Sequence, residues 1–241
     1  MRRGSSNMQL ASVVPAAYAQ TQLSRPETRR NRLPNLQVSL DRVMSQSASG
    51  KAILDDFWAI PEGQRFHELI GGELIEKAAP SGEHGHAQAG IVGAVRPPFQ
   101  RKPGSGGPGG WWIATEVEVL LETGDVVRPD VLGWRRDTCR ERPTGIPVKQ
   151  RPDWTCEIVS PTHAKDDTVR KLRTYHLARI AHYWIVDPRD TTVTVMRWST
   201  DGYITLLRAE RGEVIRAEPF EAIEIAVGAL FGDDPPEPDE R

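Results

Sequence analysis

Hydrophobic and polar positions divide the chain into a patterned middle and two unpatterned ends. Residues 1–48 mix Ser, Arg, Pro and Gln without periodicity, and are expected to be disordered because they offer no apolar face to bury. GDDPPEPDER, residues 232–241, is acidic and Pro-rich and reads as a solvated tail. Residues 49–231 between them are expected to form one domain, with no internal repeat. That domain opens with a short helix and turn in ILDDFWAIPEG. RFHELIGGELIEKA then places apolar runs on both sides of Gly71-Gly72, a hairpin signal. HAQAGIVGAVRPPF predicts a helix of small residues, able to approach a sheet closely and stopped by Pro97-Pro98.

PGSGGPGG (103–110) predicts a flexible loop. It is no phosphate-binding loop, since no Gly-Lys-Ser/Thr follows and the next element reads as a strand. WWIATEVEVLL and VVRPDVLGW face each other across Glu122-Thr123-Gly124-Asp125 as an antiparallel hairpin. DWTCEIVS is a strand, Pro161-Thr162 leads into the helix HAKDDTVRKLRTYHLARI, and the runs HYWIVD, TVTVMRW, YITLLR and EVIRAE read as strands. A helix crossing between strands implies at least one parallel pair. The expected class is α/β with α+β character, a central mixed sheet flanked by helices.

Composition narrows function only a little. Lys+Arg number 31 against 33 Asp+Glu, a formal net charge of -2. Such a balance gives no overall pull toward nucleic acid, so DNA binding must rest on a local basic patch. The two cysteines, Cys139 and Cys156, have no CxxC or metal-ligand spacing. A reduced, cytoplasmic chain is expected, with Cys156 a small buried residue. No apolar run approaches the ~18 residues that span a membrane. Arg2-Arg3 before MQLASVVPAAYAQ imitates an export signal, but Gln9, Ser12 and Pro15 make the stretch too polar for one.

Three ionisable residues draw attention within this pattern. In strand 154–159, Trp154, Cys156 and Ile158 share one face and Thr155, Glu157 and Val159 the other. An acid there must be solvated at the sheet end, paired, or bound to metal. Asp130 follows Pro129, which cannot donate to a strand ladder, so a bulge or an edge is expected. On the helix after residue 163, Asp167, Lys171 and Tyr175 recur at i, i+4 and i+8 and share a stripe. An Asp–Lys pair at that spacing is commonly only a surface contact, whereas a lysine buried beside Tyr175 needs an anionic partner. Lys165, Arg170 and Arg173, with Arg179, make the rest of the helix basic, a local patch for a DNA backbone. His84, after SGE, either caps the helix start or faces the site.

Taken in order, ELIGGELIE, SGEH, RPDV, EIVSP, D-x3-K-x3-Y and HYWIVDP resemble the Uma-type endonuclease family of the PD-(D/E)XK restriction endonuclease-like superfamily, over residues 52–205. The resemblance implies a restriction endonuclease-like core and Mg²⁺- or Mn²⁺-dependent hydrolysis of DNA phosphodiesters. It assigns Asp130 and Glu157 to the metal with Glu73 completing the shell, Lys171 to the scissile phosphate, and Tyr175 to orienting Lys171 or touching the backbone. The superfamily lysine two residues after the second acid is replaced by Val159, so the cation must come from the helix. Gly71-Gly72 stands where the family often has Asp-Gly, and Arg179 where it often has Gly. DNA is the expected partner, with a homodimer open and no membrane. A nuclease-like fold kept for binding without turnover is the alternative.

Overall fold

The computed structural model describes residues 53–160 and 164–234. The expected N-terminal extension 1–48 lies outside the described residues, as does the tail beyond residue 234. The chain forms helix α1 (Leu54–Ala59), strands β1 (His67–Ile70) and β2 (Glu73–Glu76), and helix α2 (Gly82–Phe99). Next come β3 (Trp111–Thr115), β4 (Val119–Leu120), β5 (Val126–Val127), β6 (Val131–Arg135) and β7 (Trp154–Ile158). Helix α3 (Ala164–Leu177) leads to β8 (His182–Asp187), β9 (Thr192–Ser199) and β10 (Gly202–Glu210). The short β11 (Val214–Ile215) and β12 (Ile225–Ala226) pair with each other, ahead of a 3-10 turn, Gly228–Phe231.

The main sheet has strand order β10-β9-β8-β7-β6-β3. Its pairings are antiparallel except β7 with β8, which run parallel across the α3 crossover. This is the mixed sheet that the strand–helix–strand pattern requires. A second sheet, β2-β1-β5-β4, stands beside it. Strand alternation assigns the two cores: Trp154, Cys156 and Ile158 pack with Trp184, Phe220 and the α2 face Ala87, Ile91, Val95 and Phe99. The opposite face of the sheet packs Leu132, Trp134 and Tyr183 against Tyr175 and Ile180. Burying Ile91, Val95 and Phe99 contributes about 1.5–3 kcal/mol each.

The structure departs from expectation in three places. Residues 111–121 and 126–134 are not one long hairpin. Each arm breaks at 116–118 and 128–130, so β3 and β6 join the main sheet while β4 and β5 join the smaller one. Pro129 has no N–H to continue a ladder, and the break falls around it. Pro97 and Pro98 do not stop α2 either, which begins at Gly82 and runs through them to Phe99. Their fixed φ suits a helix, and in the last turn the loss is limited to two backbone bonds. The Gln100 N–H closes on the Arg96 carbonyl at 2.8 Å, and Arg101 Nε reaches the Pro97 carbonyl at 2.8 Å. The small residues of α2 also serve a neighbour other than the sheet. A Cβ on Gly90 would stand 2.4 Å from the Leu230 carbonyl oxygen, so the 3-10 turn is what makes the close approach.

The hairpin turn bears out the sequence. Gly71 and Gly72 adopt φ of 61° and 81°, the left-handed pair that a two-residue hairpin needs, and β1 and β2 pair as expected. A rebuilt turn at Arg179, the expectation where glycine is missing, is not found: Arg179 keeps the left-handed cap after α3 at φ 55°.

Candidate active site

The site forms where the two sheets meet. Asp130 sits in the break between β5 and β6, one residue before the β6–β7 ladder begins at Val131 and Cys156. Its Oδ2 accepts the Ile158 backbone N–H at 2.7 Å. The side chain therefore extends the ladder that Pro129 interrupts, and it fixes Asp130 against the strand that carries Glu157. Asp130 is 1% exposed, and Glu157 and Lys171 are each 7% exposed.

Lys171 reaches the acids. Its Nζ lies 2.9 Å from Glu157 Oε2 and 3.1 Å from Glu68 Oε2. The Tyr175 hydroxyl donates to Glu157 Oε1, so the i, i+4 spacing sets both side chains on one carboxylate. Glu68 Oε1 in turn accepts the Arg128 backbone N–H at 2.7 Å. The Asp167 and Lys165 side chains lie outside the described residues.

A second lysine completes the cluster. Lys77, just past β2, donates to Asp130 Oδ1, Glu116 Oε2 and the Arg128 carbonyl, each at 2.8 Å. Gln88 Nε2 donates to the Asp130 carbonyl at 2.8 Å. His84 faces the site and does not cap the helix. Ser81 is the cap of α2, accepting the His84 N–H at 3.2 Å, while the imidazole Nε2 stands 3.4 Å from Asp130 Oδ1. Ligand atoms of His84, Glu116 and Asp130 lie within 4.8 Å of one another.

These contacts set the protonation states. Burial works to raise the Asp130 carboxyl. The hydrogen bond from His84 and the Lys77 and Lys171 ammoniums outweigh it and hold Asp130 well below the usual carboxylate range. Burial pushes Glu157 up to about 7, against the pull of Lys171 and with help from the charges of Asp130 and Glu68. Burial would also lower Lys171, but the Glu157 and Glu68 carboxylates hold it well above its ordinary value. The lysine therefore stays an ammonium through the neutral range.

Glu73 does not join this group. It shares a face of the hairpin with Glu68 but sits beside the turn, opposite Ile70, while Glu68 lies opposite Ile75. That is two residues, roughly 6–7 Å, further along the strand. Its carboxylate is exposed and pairs with Arg170, so the first-hairpin acid in the cluster is Glu68. Of the expected basic patch, Arg170 is engaged by Glu73 and Arg173 is exposed. Glu68 had a readable signal, an acid beside the apolar Leu69 and Ile70 in a strand that buries all three. Lys77 and Glu116 had none, because the contact joins residues 39 apart through the break in the hairpin.

Glu68, Lys77, His84, Asp130, Glu157 and Lys171 line one cavity of about 60 Å³. A cavity of about 10–15 Å³ already holds one water, so this one has room for a hydrated ion. Carboxylate oxygens from Asp130, Glu157 and Glu68 are the hard donors that Mg²⁺ or Mn²⁺ takes.

A mixed sheet crossed by a helix, with acids and lysines at its junction with a second sheet, defines a mixed α/β fold with a charged buried site. The chain belongs to the Uma2 family, described as "Putative restriction endonuclease", which matches residues 54–228. A crystal structure described as a "putative nuclease belonging to DUF820" from Anabaena variabilis shares this fold. It has a TM-score of 0.58 at 22% identity, covering 74% of this chain and 97% of that one. A cryo-electron microscopy structure titled as a DrdV–DNA complex aligns with a TM-score of 0.27 and 18% identity over 53% of this chain and 10% of that one. No curated protein matches the chain. Among the described residues, no helix is long and apolar enough to cross a membrane.

Proposed function

We propose that this protein is a Mg²⁺-dependent DNA endonuclease whose catalytic set is Asp130, Glu157 and Lys171, with Glu68 in the place first expected of Glu73. The observation that carries the reading is the buried Lys171–Glu157 ion pair at 2.9 Å beside Asp130. It supplies from a helix the cation that Val159 cannot supply from the strand. Asp130 and Glu157 would hold a divalent ion, which when bound supplies an acidified water and positive charge against the scissile phosphate.

The residues prepare this chemistry. Asp130 arrives ionised, and its bond to the Ile158 N–H keeps it beside Glu157. Lys171 divides two N–H groups between Glu157 and Glu68. Its third N–H is left for a phosphate oxygen at the cavity mouth, where a fixed cation stabilises developing charge without reorganisation. Tyr175, buried and protonated well above its ordinary range, holds Glu157 in register with that ammonium. Arg173 offers an exposed contact to the nucleic-acid backbone.

The test is cleavage of plasmid DNA with Mg²⁺ by the native chain and by Glu157→Ala. Cleavage by the native chain that the variant loses is the expected result, and equal cleavage by both would sink the assignment. A second reading, binding without turnover, is favoured by one observation. Lys77 and Lys171 pair directly with Asp130 and Glu157, the two carboxylates proposed to hold the ion. Mg²⁺ uptake measured by calorimetry separates the two readings, since a binding scaffold need take up none.

A further inference from the structure

Lys77 is a cation without a role in the reaction as described. Its Nζ sits 2.8 Å from each of three oxygens: Asp130 Oδ1, Glu116 Oε2 and the Arg128 carbonyl. Oxygens converging on one point from two carboxylates and a carbonyl are the surroundings of a hard metal ion. Here the point is filled by an ammonium tethered to the strand end. Glu116 is held there at a cost. Its backbone adopts a left-handed φ of 55° in the break after β3, a conformation that is strained for a residue with a side chain. Gln88 Nε2 steadies the other Glu116 oxygen at 3.4 Å.

Asp130 and Glu116, two of the three residues that hold Lys77, also form a group with His84 whose donor atoms lie within 4.8 Å of one another, a set from which a divalent ion could draw ligands. Two-ion nuclease sites place their ions about 3.5–4 Å apart, clamping the attacking and leaving oxygens. Asp130 is shared here between the Glu157 side and the Glu116 side, as a bridging carboxylate would be.

We infer that Lys77 is a positioning residue whose ammonium occupies the second cation position of the site, so that the protein takes up one divalent ion, beside Glu157, instead of two. The inference rests on the metal-dependent reading above. Lys77 fixes Asp130 and Glu116 through Asp130 Oδ1, while Asp130 Oδ2, on the Glu157 side, keeps the Ile158 N–H as its partner. Removing the ammonium while keeping the oxygens opens a position that an ion can fill.

Mn²⁺ is the probe, counted by calorimetry and by the loss of free-ion paramagnetic resonance signal, with folding checked by circular dichroism in EDTA. The native chain is expected to bind one equivalent. Lys77→Gln is expected to bind a second, and Lys77→Gln with Glu116→Gln to return to one. A Lys77→Gln chain that binds one equivalent at native affinity overturns the inference and leaves the metal site standing. Two equivalents on the native chain overturn it as well. If the native chain binds none, the metal-dependent reading fails; uptake by Lys77→Gln would still support the ammonium's occupancy, and no uptake by either would end both. Should Lys77→Gln not fold, site-resolved reductive methylation of the native chain decides. Lys77 is expected to stay protected in saturating Mn²⁺, and its exposure by the ion would overturn the assignment.

Discussion

Lys171 Nζ and Glu157 Oε2 stand 2.9 Å apart in a buried ion pair that joins the crossover helix to the strand preceding it. The parallel β7–β8 pair requires a crossover, the crossover is α3, and α3 returns over the sheet so that its second turn lies above Glu157. A cation missing from the strand is recovered by the connection.

Removing that cation exposes what it holds apart. Lys171→Met leaves Glu157 and Glu68 buried without their shared partner. Breaking a buried pair from one side costs about 3–5 kcal/mol, and losing a preorganised cation costs about 10²–10³ in rate. Urea denaturation and plasmid cleavage should show both losses, with Mg²⁺ recovering part of the stability and little of the rate.

The two hairpin acids should behave differently. Glu68→Gln weakens the hold on Lys171 and is expected to lower cleavage at least tenfold. Glu73→Gln breaks only an exposed pair with Arg170, worth about 0–1 kcal/mol, and should leave cleavage within about twofold. Parallel rate measurements on the two variants check the placement, and a larger loss in Glu73→Gln would reverse it.

Asp130 has a structural duty separable from a metal duty. Asp130→Ala strands the Ile158 N–H and is expected to cost about 1–3 kcal/mol from that loss alone. Asp130→Asn keeps an oxygen for the Ile158 N–H, so its midpoint in urea should fall less. Both variants should lose divalent-ion uptake in calorimetry.

The pH dependence follows from Glu157. Its carboxyl is raised from 4.5 to about 7 in the folded chain, so the folded state holds the proton longer than the unfolded state. The stability linked to this group is full below about pH 4.5 and is lost as pH rises through about 7, to the extent of roughly 3 kcal/mol. An ion needs the ionised carboxylate, so its affinity moves the other way and rises through the same window. Mg²⁺ titrations at pH 6, 7 and 8 should show tightening, and a flat affinity would count against Glu157 as a ligand.

Arg179 carries a left-handed φ of 55° on the surface. Arg179→Gly removes the Cβ penalty of about 1 kcal/mol, offset in part by the greater freedom of glycine in the unfolded chain. A gain of up to about 1 kcal/mol in urea is expected, with cleavage unchanged.

Much of this architecture is dictated by local pattern. Gly71-Gly72 can only be a tight turn, the alternation of Trp154, Cys156 and Ile158 orients β7, and the strand–α3–strand order requires a parallel pair. The same alternation put Glu157 on the face opposite the tryptophan, and the i, i+4 spacing put Lys171 and Tyr175 together. Those are short-range facts, set by backbone periods of 2 and 3.6. What the tertiary structure decided is which acid of the hairpin meets Lys171, where the arms around Pro129 break, and that Lys77 closes on Asp130 and Glu116. The two lysine contacts join residues dozens of positions apart, through the bend between two sheets. Side-chain period cannot carry that information, because a charge in the sequence does not say which distant charge it will be buried against.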